Sequence, residues 1–339
     1  MTIRVLRPAA LATVQDRGRP GHQHLGVVAG GAMDPVSHRI ANALVGNHDG
    51  AATLEIALSG PDLLFGRDAL VALYGARFAA TLDGDALPQS RPVLVRTGAR
   101  LRIGRAEAGC FGYLAVAGGI EVPVVLGSRS TYLPGRFGGW NGSALERDAV
   151  LPLTEDVEAI SAARLARAAR RGERPQRGRT VAWFVPALTL SDVDLPVIRC
   201  VQGVHHELFE RASRSAFVET RWQVAPDSNR IGFRLLGPPL ELTAPAEILS
   251  QATCLGTVQV PPGGQPIALM ADHQTTGGYP KIAEAISADV PILAQRPPGA
   301  ALRFTAVTLD EADGARAALE ARVQALVARI LWELGDEND

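Results

Sequence analysis

Between Asp272 and Lys281 the chain reads DHQTTGGYPK. These ten residues hold a carboxylate, an imidazole, a carboxamide, two hydroxyls, two adjacent glycines, a phenol and an amine. Lys281 is the only lysine, and the other 33 of the 34 Lys and Arg side chains are arginine. Where guanidinium serves almost everywhere, a retained ammonium marks a place that wants a compact point charge on a flexible stem, suited to an anion or a reacting oxygen. The glycine pair strengthens this reading, because residues free to take positive φ let backbone N–H groups converge on an oxyanion. Lys281 and the amides of Gly277 and Gly278 are therefore candidate donors to developing negative charge. Asp272 is the candidate general base, with His273 second. Gln274, Thr275, Thr276 and Tyr279 add polar contacts for a substrate.

Three further stretches combine glycine with polar side chains. Gly30-Gly31-Ala32-Met33-Asp34 opens a helix, so its amides and the helix N-terminus offer an anion site, and Asp34 reads first as the cap and second as a site residue. Gly127-Ser128-Arg129-Ser130-Thr131-Tyr132 sets a guanidinium among hydroxyls, which brings Arg129, Ser130 and Thr131 into the candidate site. Asp227-Ser228-Asn229-Arg230 precedes a strand and adds Asn229 and Arg230. Other chemistries lack their signatures. There is no GxxxxGK[ST] phosphate loop and no GxSxG nucleophile elbow. His22-Gln23-His24 and His205-His206-Glu207 show no third ligand at metal-binding spacing, so no metal is expected. No Ala-Met-Lys-Met sequence occurs, so the chain carries no biotin attachment site.

The elements that must position these residues are mostly strands. The 35 glycines and 23 prolines punctuate short β-branched runs such as ALVALYG, RPVLVRTG, LPVIRCVQG and GQPIALMAD, a spacing that predicts β-barrels or sandwiches. One early helix interrupts them: Asp34 as N-cap, Pro35 at the first helical position, an apolar stripe of Val36, Ile40 and Leu44, and a stop at Gly46-Asn47. Residues 155–180 turn abruptly Ala/Arg-rich and then proline-broken. The expected layout is a β-barrel domain over 1–155, a helical Arg-rich linker over 156–179, a second β-barrel domain over 180–310, and a C-terminal amphipathic helix and tail over 311–339. Leu319, Val323, Leu326, Ile330 and Leu334 form that helix's stripe. The halves echo each other weakly: Gly60-Pro61-x-Leu63 recurs as Gly237-Pro238-x-Leu240, and TGARLRIG (97–104) as PGAALRFT (298–305).

A net charge of −1 with 20 % charged residues argues against nucleic acid or an anionic membrane as the main partner. The opening MTIRVLRPAA reads as a strand rather than a leader, and no apolar run approaches the roughly 18 residues a spanning helix needs. Three scattered cysteines without CxxC spacing fit a reducing compartment, and a cytoplasmic protein is expected.

Several of these stretches also carry a family likeness. Thr13-Val14-Gln15-Asp16-Arg17-Gly18-Arg19-Pro20-Gly21, Gly31-Ala32-Met33-Asp34, Asn42 with Val45-Gly46-Asn47, Leu54-Glu55, Leu126-Gly127-Ser128-Arg129-Ser130-Thr131 and Gln274-Thr275-Thr276-Gly277-Gly278-Tyr279-Pro280 closely resemble the allophanate hydrolase subunit 2 family. That family includes KipA and the 5-oxoprolinase C subunit and is similar to part of the carboxyltransferase region of urea carboxylase. The resemblance runs from about residue 3 to about residue 308, with looser agreement at 203–207 and around Asn141. It implies a mainly β fold of two cyclophilin-like β-barrel domains and a KipI-like B subunit as partner. With a LamB/YcsF-like A subunit, it implies ATP-dependent opening of 5-oxo-L-proline to L-glutamate, the ATP bound in the complex on this chain or a partner. Two alternatives stay open: a KipA-type antagonist of a kinase inhibitor, and a member of a biotin-dependent urea or amide carboxyltransferase.

Overall fold

The β-branched runs between glycines and prolines form strands throughout the computed structural model, which describes residues 2–154, 180–190 and 194–335. The expected Arg-rich linker at 156–179 and the tail past 335 lie outside the described residues. The chain falls into two units. Met1–Gly18, Asp34–Leu190 and Arg322–Asp339 make up the first, and Arg19–Met33 with Ser191–Ala321 the second.

The first unit holds β1 (Thr2–Arg7), β2 (Ala12–Gln15), α1 (Pro35–Ala43), β3 (Thr53–Ala57), β4 (Asp62–Phe65), β5 (Ala69–Leu82), β6 (Asp85–Ala86), β7 (Val93–Val95), β8 (Arg100–Val116) and β9 (Val150–Pro152). These strands form one half-barrel sheet in the order β2-β3-β8-β4-β1-β9, with β5 on β8 and β6 and β7 on β5. The two long strands pair from Val71↔Val116 to Leu82↔Leu101, with register shifts between Gly75 and Ala80. Such bulges let a long strand bend around a core. Ile3, Val5, Leu54, Ile56, Phe78 and Leu101 fill it. The expected helix forms as α1. Asp34 caps it by accepting from the Ser37 N–H at 2.9 Å, and Pro35 opens it.

The second unit holds β10 (Val197–Gln202), α2 (Arg211–Glu219), β11 (Trp222–Val224), β12 (Gly232–Leu236), β13 (Gln251–Ala252), β14 (Thr257–Gln259), β15 (Ile267–Leu269), β16 (Thr276–Gly277), β17 (Lys281–Ala285), α3 (Val290–Ala294) and β18 (Ala301–Ala306). Seven strands close into a barrel in the order β10-β17-β14-β15-β12-β11-β18, with a parallel β10–β18 pairing. The short β13–β16 ribbon stands apart from that barrel. Phe217 of α2 stacks on Phe304 at 4.6 Å, and the buried Trp222 donates its ring N–H to the Phe217 carbonyl at 2.9 Å. The mainly β expectation holds, as a half-barrel sheet and a closed seven-stranded barrel.

The echoing segments 97–104 and 298–305 share a local cause. Each turns on a left-handed glycine, Gly98 (φ 81°) or Gly299 (φ 85°), and enters a strand two residues later, β8 and β18. The C-terminal stripe forms α4 (Leu309–Leu334), which buries Val323, Ile330 and Leu334. Among the described residues no helix is long and apolar enough to cross a membrane.

Candidate functional site

Strands β14 and β17 run antiparallel, and past a bulge between Val258 and Gln259 the register sets Gln259 opposite Lys281. Both side chains are only 4 % exposed. The Lys281 ammonium donates to the Ala252 carbonyl of β13. Among the described residues that carbonyl is its one acceptor and no carboxylate pairs with it. A buried ammonium is normally neutralised by an ion pair, because its desolvation is costly. Lys281 therefore keeps donor capacity and charge that the described fold does not spend. Its backbone N–H donates to Nδ1 of His205 at 3.2 Å. Burial first, and then the Lys281 charge, hold His205 below its usual pKa, so that imidazole stays neutral beside the ammonium.

The loop before β17 brings further groups to the same place. Gln274 points its Nε2 at Gln259 Oε1, at 3.5 Å. Gly277 faces both: a Cβ there would stand 3.2 Å from Gln259 Oε1, Gln274 Nε2 and Thr253 Cγ2. Gly278 lies against the Ile248 carbonyl, 3.1 Å from where its Cβ would be. The Thr275 carbonyl accepts from the Thr253 N–H at 3.0 Å, Thr276 pairs with Ala252 in the β13–β16 ribbon, and Tyr279 is 44 % exposed. Lys281, Gln274, Thr276 and Gly277 thus come together around β13, joined by Thr253 and Gln259.

Asp272 and Arg230 form a separate buried pair in this unit. Arg230 Nε donates to Asp272 Oδ2 at 2.8 Å and Nη2 to Oδ1 at 2.9 Å, the bidentate geometry that suits guanidinium and carboxylate. Arg230 Nη2 also donates to the Gly31 carbonyl at 2.6 Å. Both Asp272 oxygens face a guanidinium, which fits a fixed counter-ion better than a base collecting a substrate proton. Gly31 meets Arg230 through its carbonyl rather than offering an amide to an anion, and a Cβ on Gly30 would lie 3.6 Å from Asp272 Oδ1. His273 donates from Nδ1 to the Gln274 carbonyl at 2.7 Å, and burial lowers its pKa, so it is neutral. Asn229 accepts from the Ile231 N–H at 2.8 Å, a turn-shaping bond.

Arg129, Ser130, Thr131 and Asp34 belong to the first unit. The loop 127–131 does gather donors around an anion, and the anion is the protein's own Asp16. That carboxylate accepts from Ser128 Oγ and Ser130 Oγ, both at 2.6 Å, and from the Arg129 N–H at 2.5 Å. The Arg129 guanidinium donates to Glu121 at 2.9 Å and to the Val122 carbonyl at 3.1 Å, and its hydrogen bond holds the Glu121 carboxyl below its usual pKa. Thr131 Oγ1 donates to the Val14 carbonyl at 3.0 Å. Asp34, fully buried, accepts from Ser37 Oγ and Thr189 Oγ1 at 2.6 Å each besides its capping bond, so the start of α1 already carries an internal anion.

Sequence reasoning missed Gln259, Thr253 and the Ala252 carbonyl. The available signal was Gln259 itself, a carboxamide set between the buried Val258 and Val260. A cavity of about 820 Å³ adjoins Tyr279 and Pro280, but its charged lining residues are Glu241 and Glu247. Those carboxylates have the wrong sign for an anionic ligand, so the ammonium without a carboxylate among the described residues is the better guide to the site.

Comparison with known proteins identifies the family. The family model described as carboxyltransferase domain, subdomain A and B, matches residues 25–306. The 5-oxoprolinase C subunit of Escherichia coli is 38 % identical over 338 residues, 99 % of this chain and the whole of that protein. Its Haemophilus influenzae namesake is 37 % identical over 310 residues, covering 91 % of this chain and 93 % of that protein. Among solved structures, the Kluyveromyces lactis urea amidolyase superposes with a TM-score of 0.85 at 30 % identity over 96 % of this chain, which spans 20 % of that much longer protein. The chain belongs to the carboxyltransferase domain, subdomain A and B, family.

Proposed function

We propose that this carboxyltransferase-family chain is the C subunit of a 5-oxoprolinase, supplying fixed donors for the ATP-dependent opening of 5-oxo-L-proline to L-glutamate. Full-length likeness to the two 5-oxoprolinase C subunits supports the choice of reaction. The observation that carries an enzyme component over a purely regulatory binding module is Lys281. A buried ammonium with no carboxylate partner among the described residues costs stability, and a docking surface has no need of it.

The chemical problem is an unreactive lactam. Amide resonance makes both its nitrogen and its carbonyl carbon sluggish. Transfer of the ATP γ-phosphoryl group to the lactam oxygen, with ADP leaving, gives an activated imidate phosphate. Water then adds to the ring carbon, the ring C–N bond breaks with protonation of nitrogen, and phosphate departs as a second water completes the hydrolysis. Negative charge sits on the substrate carboxylate and builds on the oxygens at the reacting carbon, and Lys281 with the amides of Gly277 and Gly278 are the donors for it. Asp272 and His273 serve as positioning residues, one locked to Arg230 and the other to the Gln274 carbonyl. ATP belongs to a partner chain in this scheme, since the Gly/Ser-rich loop 127–131 is closed by Asp16. A KipI-like B subunit and a LamB/YcsF-like A subunit are the proposed partners.

The test is co-purification with those two partners and an assay of 5-oxoproline-dependent ATP hydrolysis. Activity should need all three chains. Failure of this chain to associate with the KipI-like partner at micromolar concentration contradicts the proposal. The likeness to urea amidolyase favours a second reading, in which the same donors hold the carboxyl group transferred to an amide nitrogen. Biotin-dependent carboxylation by the same complex would select it.

A further inference from the structure

We propose that Gln259 is a specificity-determining residue that reads a cis-amide edge, while the opposed Lys281 reads an anionic oxygen on the same ligand, so that the site selects small lactams bearing a carboxylate. The inference takes its location from the proposed function and adds a residue and a selection rule to it.

The argument begins with unspent hydrogen-bonding capacity. A glutamine carboxamide has two N–H donors and an oxygen with two lone pairs. Gln259 is 4 % exposed, yet its one side-chain hydrogen bond among the described residues is the 3.5 Å contact its Oε1 accepts from Gln274. No described residue accepts from its Nε2. Buried carboxamides are ordinarily matched by protein partners, so one that is not remains available to a ligand. Its cross-strand neighbour Lys281 is equally buried and likewise holds unspent donors. Two incompletely matched polar side chains that both reach the β13–β16 ribbon form a two-point site.

The shape of a carboxamide dictates what it reads. Its N–H and C=O lie along one edge, so it pairs through two antiparallel hydrogen bonds with any partner offering C=O and N–H along one edge. A lactam does so because its ring forces the amide cis. An open-chain secondary amide does not, since its trans peptide geometry points N–H and C=O in opposite directions. Gly277 keeps this edge approachable, because a side chain there would press on Gln259 Oε1 and Gln274 Nε2, 3.2 Å from its Cβ. The ammonium beside it adds the demand for negative charge.

Three probes separate the two halves of the rule: 5-oxo-L-proline has lactam and carboxylate, 2-pyrrolidone has the lactam alone, and cyclopentanecarboxylate has the carboxylate alone. Binding of each to the full-length chain is measured by ligand-observed NMR, with melting temperature as the folding control. Gln259→Leu should weaken the two lactams about 10-fold, the worth of a pair of neutral hydrogen bonds, and leave cyclopentanecarboxylate unchanged. Lys281→Met should do the converse, sparing 2-pyrrolidone. The proposal is overturned if Gln259→Leu binds 2-pyrrolidone as wild type does, if it weakens all three probes alike, or if the wild-type chain binds no lactam. Turnover of 5-oxoproline by the assembled complex is read separately: an inactive complex built on a chain whose lactam binding depends on Gln259 removes the oxoprolinase reading and leaves this inference standing.

Discussion

Gln259 and Lys281 face each other across the β14–β17 ladder with their side chains out of water, next to Val258 and Ile282, which are fully buried. An apolar pair in these positions would pack the barrel at lower cost, since the described fold matches each polar group with a single hydrogen bond. Sites that give up stability in this way are where binding and catalysis are commonly found. Lys281→Met should therefore leave the melting temperature unchanged or raise it, whereas a structural lysine would lower it on removal. Differential scanning calorimetry decides between them.

The Arg230–Asp272 pair should behave in the opposite way. Arg230→Met leaves a buried carboxylate uncompensated and should cost about 3–5 kcal/mol, while Arg230→Met combined with Asp272→Leu should recover most of that loss. Urea denaturation of the single and double variants measures it. A double variant as unstable as the single one would show that the Arg230 bond to Gly31, rather than the ion pair, holds this part of the second unit together.

His38 sets an acid limit in the first unit. Burial lowers its pKa from 6.5 to about 4, against the pull of Asp16. The folded protein thus resists protonating a ring that the unfolded chain protonates readily. Stability from this group is complete above about pH 6.5 and is lost as the pH falls toward 4, about 3 kcal/mol in all. Urea midpoints should drop across that window. His38→Gln should be less stable at pH 7.5 but lose less on acidification, and parallel pH profiles for the two proteins would exclude His38 as the cause.

Two glycines with close neighbours should respond differently to alanine. Gly277→Ala puts a methyl against Gln259 and Gln274 at 3.2 Å, which those side chains relieve by moving, so turnover should fall without loss of fold. Gly139 has φ +51°, and its Cβ would overlap Thr131 Oγ1 at 1.9 Å, so Gly139→Ala should destabilise the first unit. Thermal melts and steady-state rates on both variants make the comparison. A Gly277→Ala complex with wild-type rates would place the reacting groups away from the β13–β16 ribbon.

What the sequence revealed followed the range of the interaction concerned. The Asp34 cap was legible because its partner is three residues away. Lys281 stood out by composition alone. The loop 127–131 was read as a guanidinium among hydroxyls, and two of those hydroxyls meet an anion. That the anion is Asp16, over 110 residues earlier, depends on tertiary contact that local pattern does not encode. Gln259 escaped notice for the same reason: a lone carboxamide in a strand means little until β14 and β17 are set in register. Asp272 and Arg230 were both picked as polar loop residues, and their pairing over 42 positions turned a candidate base into a counter-ion.

The central claim, that Lys281 is a donor within the reaction, is tested most directly by Lys281→Arg in the reconstituted three-chain complex, assayed for 5-oxoproline-dependent ATP hydrolysis. Arginine keeps the charge but replaces a compact ammonium with a planar fork that the space beside Gln259 and the Ala252 carbonyl does not suit. The account predicts a fall in kcat/KM of about 10–10², the usual cost of losing a hydrogen bond to a charged group, with assembly intact. Wild-type kcat/KM in the Lys281→Arg complex would contradict it.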